Sequence, residues 1–237
     1  MIKPADRIII ALDVDTRFEA LELVRKLKGK VGLFKMGSQL FTAEGPELVR
    51  EIAGLGERVF LDLKYHDIPN TVVKAVLAAA RLGVSMLTLH AMGGKGMMSA
   101  VAQALNDSNR DGLTPLTLAV TVLTSLGDQD LKEIGCRSAS REQVLRLTDL
   151  AQQSGMDGIV ASPAELPALR ERFGNSLTWV TPGIRPSGKN TNDQIRIATP
   201  LAAVQAGADY LVIGRPVTAS HDPVQSLESI LGELSQL

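Results

Sequence analysis

Eight short apolar runs, most of them rich in β-branched residues, recur along this chain of 237 residues. Stretches in which apolar residues have helical spacing lie between the runs, for example Phe18–Leu27, Val72–Leu82 and Arg141–Gln153. Continuous apolar strands that alternate with helices are typical of a parallel sheet covered by helices. The predicted strands are Arg7–Leu12, Val31–Gly37, Arg58–Leu63, Val84–His90, Leu116–Leu123, Gly158–Ala161, Leu177–Thr181 and Tyr210–Gly214.

The number of predicted strands favours a closed barrel over an open, doubly wound sheet. Eight strands that alternate with helices suit the α/β class and a single (β/α)8 TIM barrel, a fold that commonly takes about 200–250 residues. No linker, low-complexity tract or repeat beyond the strand–helix unit interrupts the chain, so residues 1–237 are expected to form one domain. Hydrophobic residues make up 45% of the chain but aromatic residues only 3%, which predicts an aliphatic core.

Charge and cysteine content exclude several classes of protein. The formal net charge of −1 provides no basic field for nucleic acid, so an anionic ligand would have to be held by a few placed cations. The single cysteine, Cys136, rules out an intramolecular disulfide and is expected to be a spare side chain. Neither a signal-peptide pattern nor a membrane-length apolar stretch is found, which predicts a cytoplasmic protein that binds no membrane.

Polar residues follow several of the predicted strands. In a barrel of this kind, catalytic residues lie at the carboxyl ends of the strands, where the loops converge. A charged residue at the end of an apolar strand is costly unless it is paired or used, so several of them at one rim suggest a site. These residues are Asp13, Lys35, Asp62, Lys64, His90, Thr124, Ser125, Arg185, Gly214 and Arg215.

The most informative segment follows the third strand. Asp62 and Lys64 are two residues apart, so in a regular strand their side chains share one face, with Cα atoms roughly 7 Å apart. Asp67 comes three residues later. Nearby carboxylates favour the charged form of lysine, which would make Lys64 a proton donor. On the residues alone, a structural ion pair at the barrel rim explains the spacing equally well.

The sequence pattern Asp62-x-Lys64-x-x-Asp67 resembles the hallmark of the orotidine monophosphate decarboxylase suprafamily. The longer segment Asp62–Thr71 is similar to the bacterial type of orotidine 5′-monophosphate decarboxylase. The resemblance covers essentially the whole chain and includes every position that the family motif requires. Its other matching segments are Ala11–Asp13, Phe34–Gly37, Leu89–Ala91, Val120–Ser125, Thr181–Arg185 and Val212–Pro216.

This resemblance implies a reaction and a set of catalytic residues. The reaction is the decarboxylation of orotidine 5′-monophosphate to uridine 5′-monophosphate in pyrimidine biosynthesis, with no metal and no organic cofactor. The implied charged network contains Lys35, Asp62 and Lys64, joined by Asp67 from the other subunit of a homodimer. Lys64 would stabilise the carbanion that forms at C6 and then protonate it. Asp62 would lie against the departing carboxylate, position Lys64, or both.

The resemblance also implies the residues that bind the substrate. Asp13 and Lys35 would bind the ribose hydroxyls, with Thr71 reaching across the dimer, and Thr124 would contact the pyrimidine. Thr124 could instead be a turn residue that bonds to its own backbone. Gly214 and Arg215 follow the eighth strand, where barrels of this kind bind phosphate. Arg185 and Gln194 would grip the same phosphate, with residues 186–193 as a closing lid or, alternatively, a plain solvent loop.

Two weaker features suggest other functions. Gly93–Gly96 resembles a phosphate-binding loop but lacks the spacing of one, so it is interpreted as a turn that begins a helix. His90 could bind a metal in another barrel, but no acidic cluster accompanies it, and a histidine satisfied by its neighbours is favoured. The rival functions are a magnesium-dependent decarboxylase of a keto-hexonate phosphate, an epimerase with several metal ligands, and a barrel that binds nucleotides without catalysis.

Overall fold

The eight predicted strands are all present and close into a barrel. A computed structural model describes residues 2–108, 114–186 and 198–236. All neighbouring strands are parallel and follow the order of the sequence, and β1 pairs with both β2 and β8. The strands are β1 (Ile8–Ala11), β2 (Leu33–Gly37), β3 (Val59–Tyr65), β4 (Met86–His90), β5 (Leu116–Val120), β6 (Gly158–Val160), β7 (Thr178–Thr181) and β8 (Tyr210–Ile213). The predicted (β/α)8 barrel is therefore confirmed.

Helices follow the strands and cover the outside of the barrel. Helix α1 begins with a capping box, in which the Thr16 hydroxyl accepts the N–H of Glu19 and the Glu19 carboxylate accepts the N–H of Thr16. None of the described helices is long and apolar enough to cross a membrane. The helices are α1 (Arg17–Leu27), α2 (Ser38–Gly54), α3 (Pro69–Ala80), α4 (Gly94–Ser108), α5 (Asp128–Glu133), α6 (Ser140–Gln153), α7 (Leu166–Phe173), α8 (Pro200–Gln205), α9 (Arg215–Thr218) and α10 (Pro223–Leu234), with 3-10 turns at Ala5–Arg7 and Ala91–Gly93.

The apolar core has two layers, one inside the barrel and one between the barrel and the helices. Both layers are mainly aliphatic, as expected, although the only tryptophan, Trp179, is fully buried in the outer one. Inside the barrel, one cluster of apolar side chains fills the half nearer the amino ends of the strands. The buried members of this inner cluster are Ile9, Leu33, Phe60, Met86, Leu118 and Val180. On β2, β3 and β4 the residue two positions further along is polar, which places Lys35, Asp62 and Thr88 towards the carboxyl ends.

Close packing of the barrel leaves no room for a side chain at Gly158. A Cβ atom there would lie 2.4 Å from the carbonyl oxygen of Thr178 and 2.8 Å from a methyl carbon of Leu118. We expect Gly158→Ala to lower the free energy of unfolding by roughly 1–3 kcal/mol, because overpacking forces the backbone apart. The matched control is Gly54→Ala, where the added Cβ meets nothing within 4 Å. Urea denaturation of both variants checks this, and a Gly158→Ala protein as stable as wild type would contradict it.

Candidate active site

A cavity of about 490 Å³ opens at the carboxyl ends of the strands. Eight of the predicted site residues line it, contributed by six of the strands or the segments that follow them. Its walls are otherwise largely apolar, with Val122, Val160 and Val212 among them. Such a mixture of an apolar wall and a few convergent polar groups is typical of small-molecule sites. The predicted residues in the cavity are Asp13, Lys35, Asp62, Lys64, Thr124, Arg185, Gly214 and Arg215.

Four of these residues form a chain of alternating charges. The Lys35 ammonium lies 3.2 Å from Asp13 Oδ1 and 3.7 Å from Asp62 Oδ2. The Lys64 ammonium lies 2.9 Å from both carboxylate oxygens of Asp62. Asp62 is therefore shared by two cations, and its side chain is only 14% exposed, compared with 38% for Lys64. Because each buried charge has partners of opposite sign, the network can persist at the floor of a cavity.

The backbone that brings Asp62 and Lys64 together is irregular. Leu61 pairs with Leu87 and Tyr65 pairs with Leu89. The two residues on β3 are therefore four positions apart, whereas their partners on β4 are only two positions apart. Lys64 has a φ of 50°, and it is the one non-glycine residue with positive φ in the described parts of the chain. The expectation that the two side chains lie close together is correct. The expected regular strand is wrong, since a bulge gives the two residues their positions.

Thr88 on β4 is a site residue that the sequence analysis missed. Its side chain is fully buried, and its hydroxyl donates to Asp62 Oδ1 at 2.9 Å and accepts the backbone N–H of Lys64 at 2.9 Å. Alternation along the strand could have suggested it, because Thr88 follows the inward-facing Met86 by two residues. Gln39, at the start of α2, was also missed; it lines the cavity and donates to Asp15.

Asp67 and Thr71 lie outside the cavity of their own chain. Asp67 is exposed in the loop after β3, where its Oδ1 accepts the N–H of Ile68 at 2.6 Å. Thr71 is exposed in the first turn of α3. Ile68 between them is 67% exposed, which is high for a large apolar side chain. The structure therefore does not join these two residues to the charge network of the same chain.

The residues expected to bind phosphate are described only in part. Gly214 is the single residue between β8 and α9, and Arg215 is the first residue of α9. Arg185 donates to the carbonyl oxygen of Ile184 at 2.9 Å and, like Gly214 and Arg215, lines the cavity. Gln194 and residues 187–193 of the expected lid lie outside the described residues. Two guanidinium groups therefore face one cavity with the Lys64 network.

Histidines border the site without forming a metal centre. His90 Nδ1 accepts the N–H of Met92 at 3.3 Å, and its ring stacks on His66 with centroids 5.3 Å apart. Burial, followed by the nearby charges of His66 and Lys64, lowers the pKa of His90 below its usual value. In the described parts of the chain, no group of three or more His, Cys, Asp or Glu side chains is placed to hold a metal ion. Gly93–Gly96 spans the end of a 3-10 turn and the start of α4, as expected.

Comparison with known proteins identifies the family. The family model described as "Orotidine 5'-phosphate decarboxylase / HUMPS family" matches residues 6–230. The chain belongs to this family. It is accordingly an enzyme of the decarboxylase class, a carbon–carbon lyase.

Curated relatives of the orotidine 5′-phosphate decarboxylase family match almost the whole chain. The orotidine 5′-phosphate decarboxylase of Syntrophotalea carbinolica is 48% identical over 237 residues, which covers 99% of this chain and 97% of the relative. The enzyme of the same name from Idiomarina loihiensis is 50% identical and covers 97% of this chain and 98% of its own. The crystal structure of orotidine 5′-phosphate decarboxylase from Lactobacillus acidophilus superposes with a TM-score of 0.85 at 39% identity, covering 95% of this chain and 97% of that one.

Proposed function

We propose that this chain decarboxylates orotidine 5′-monophosphate to uridine 5′-monophosphate in pyrimidine biosynthesis, with neither a metal nor an organic cofactor. The observation that carries the proposal is the Lys64 ammonium, held 2.9 Å from both oxygens of Asp62 and lining a cavity with two arginines. Family membership supports the substrate, because the relatives that match over nearly the whole chain bear the name of this activity.

Lys64 acts on the carbon that loses CO2. The bond between C6 and the carboxylate carbon breaks, CO2 leaves, and the electron pair stays on C6 in an sp2 orbital that is poorly delocalised into the ring. A fixed ammonium group beside C6 stabilises this charge as it develops. One N–H proton of Lys64 then moves to C6, which gives uridine 5′-monophosphate and a neutral amine that regains a proton from solvent.

Asp62 and Lys35 position the acid and the sugar. Asp62 contacts both ammonium groups, so it fixes the direction in which Lys64 presents its protons. It also lies where a substrate carboxylate would approach Lys64, and the resulting repulsion is relieved when CO2 leaves. Asp13 is more than half exposed at the cavity mouth and is paired with Lys35, an arrangement suited to hydrogen bonds with two ribose hydroxyls.

The phosphate is bound by Arg185, Gly214 and Arg215, together with Gln194. Guanidinium groups suit this task because they bind phosphate oxygens in a bidentate manner. The net charge of −1 means that these placed cations, with the lysines, must supply the attraction for the anionic substrate. Thr124, in the turn after β5, lines the same cavity and contacts the pyrimidine.

Two chains form a homodimer whose active sites are shared. Asp67 and Thr71 match the family motif, yet each is exposed and absent from the cavity of its own chain. The exposed Ile68 between them suits an interface. In the dimer, Asp67 joins the charge network of the partner chain and Thr71 binds its substrate. A cytoplasmic location and one domain over residues 1–237 remain predictions.

A spectroscopic assay tests the reaction. Purified protein treated with EDTA and mixed with orotidine 5′-monophosphate is expected to bleach the orotate absorbance and to yield uridine 5′-monophosphate and CO2 in equal amounts. Addition of Mg²⁺ is expected to leave the rate unchanged, because no step of the mechanism uses a metal. Absence of turnover would overturn the proposed function. Turnover of orotidine 5′-monophosphate that requires a divalent metal would keep the substrate but overturn the metal-free mechanism.

A further inference from the structure

Thr88 is a buried hydroxyl that joins the two residues at the centre of the site. It lies on β4 and is fully buried, so it lies behind the cavity and not on its surface. Its oxygen accepts the backbone N–H of Lys64 at 2.9 Å, and its proton is given to Asp62 Oδ1 at 2.9 Å. A threonine hydroxyl has only one proton, so these two bonds fix its orientation. One side chain therefore links the backbone of Lys64 to the carboxylate of Asp62.

The backbone of Lys64 needs this support. Its φ of 50° is in the left-handed region of backbone conformation, which residues other than glycine rarely adopt. The two extra residues of the β3 bulge also remove the regular ladder partner of this segment. The Thr88 hydroxyl takes the place of a β4 carbonyl as the acceptor for the Lys64 N–H. Such conformations persist where the surroundings hold them in place, and they are frequent at active sites.

We propose that Thr88 is a further positioning residue of this site: its two hydrogen bonds hold Lys64 in the left-handed conformation and hold Asp62 against the Lys64 ammonium. The inference rests on the proposed function, in which Lys64 protonates C6. Thr88 itself touches no reacting atom. Without its hydroxyl, Lys64 relaxes towards an ordinary strand conformation, and the ammonium moves away from the place that C6 occupies.

Three variants test the role of the hydroxyl. Thr88→Val keeps the shape and removes both hydrogen bonds, whereas Thr88→Ser keeps both bonds. Thr148→Val is the matched control, since Thr148 on α6 is equally buried and its hydroxyl has no partner among the described residues. We expect Thr88→Val to lower kcat roughly 100-fold, the effect of misplacing a catalytic group by about 1 Å. The KM and the affinity for uridine 5′-monophosphate change little, because the phosphate-binding arginines are untouched.

The conservative variant and a crystal structure separate positioning from simple loss of stability. Thr88→Ser is expected to retain a kcat within about tenfold of wild type, and Thr148→Val to match wild type. In crystals of Thr88→Val, the φ of Lys64 is expected to become negative, whereas Thr88→Ser keeps it positive. If Thr88→Val does not fold, Thr88→Ala takes its place in every measurement.

Three outcomes would overturn the inference. The first is a wild-type kcat in Thr88→Val. The second is a kcat of Thr88→Ser as low as that of a slow Thr88→Val. The third is an unchanged φ of Lys64 in crystals of Thr88→Val. An inactive wild-type protein would instead overturn the proposed function, while the crystal structures would still report on Thr88. The two failures are therefore distinguishable.

Discussion

Replacement of Lys64 by alanine is expected to lower kcat/KM by about 10⁴-fold or more, because two contributions disappear together. The first is the proton that reaches C6, and general-acid catalysis is typically worth 10²–10⁴-fold. The second is the fixed positive charge beside the developing carbanion, and one such group is typically worth about 10²–10³-fold. A loss of 10⁴-fold corresponds to about 5 kcal/mol of transition-state stabilisation.

Binding of uridine 5′-monophosphate is expected to survive the Lys64→Ala substitution. The arginines that line the cavity, Arg185 and Arg215, are unchanged, and Asp62 keeps Lys35 as a partner at 3.7 Å. Isothermal titration calorimetry with the product nucleotide therefore measures whether the variant is folded and has a usable site. Lys132→Ala is the matched control, since Lys132 is exposed on α5 and is not part of the cavity. Turnover of Lys64→Ala within tenfold of wild type would remove Lys64 as the acid.

The barrel could be predicted from sequence because its strands are apolar on both sides. One side of each strand packs in the barrel interior and the other against helices, so each strand is a continuous apolar run, as Ile8–Ala11 illustrates. A charged residue within such an apolar run indicates the end of the strand that lies at the rim of the barrel. Lys35 and Asp62 could be assigned to the site on this basis. The strand bounds were less exact: β3 extends to Tyr65, since its bulged end still pairs with β4.

Contacts between distant segments account for the parts of the site that the sequence did not predict. Thr88 is separated from Lys64 by 24 residues. Threonine is also common in strands, so its presence in one does not indicate a functional role. Nothing local to Asp62-x-Lys64 indicates a bulge, because the left-handed φ of Lys64 is stabilised by a hydrogen bond from another strand. Gln39 was missed for a similar reason, since an amide at the start of a helix has many ordinary uses.

Mixing two inactive variants is expected to restore activity if the active sites are shared between subunits. Asp67→Ala leaves Lys64 intact, and Lys64→Ala leaves Asp67 intact. In a heterodimer of the two, the site built on the Asp67→Ala chain receives a normal Asp67 from its partner and is complete. Random pairing of equal amounts makes half of the dimers heterodimers with one complete site each, so about one quarter of wild-type activity per subunit should return.

The geometry of the single chain supplies the negative control for this experiment. Lys35 and Lys64 both contact Asp62 in one cavity, so a mixture of Lys35→Ala and Lys64→Ala subunits contains no complete site and should stay inactive. Co-expression with two different affinity tags isolates the heterodimers directly and removes any dependence on subunit exchange. Isolated heterodimers of Asp67→Ala and Lys64→Ala without activity would exclude a shared site. Recovery in this pair alone means that a carboxylate exposed on one chain completes the charge network of another, because no rearrangement within a chain can supply both residues.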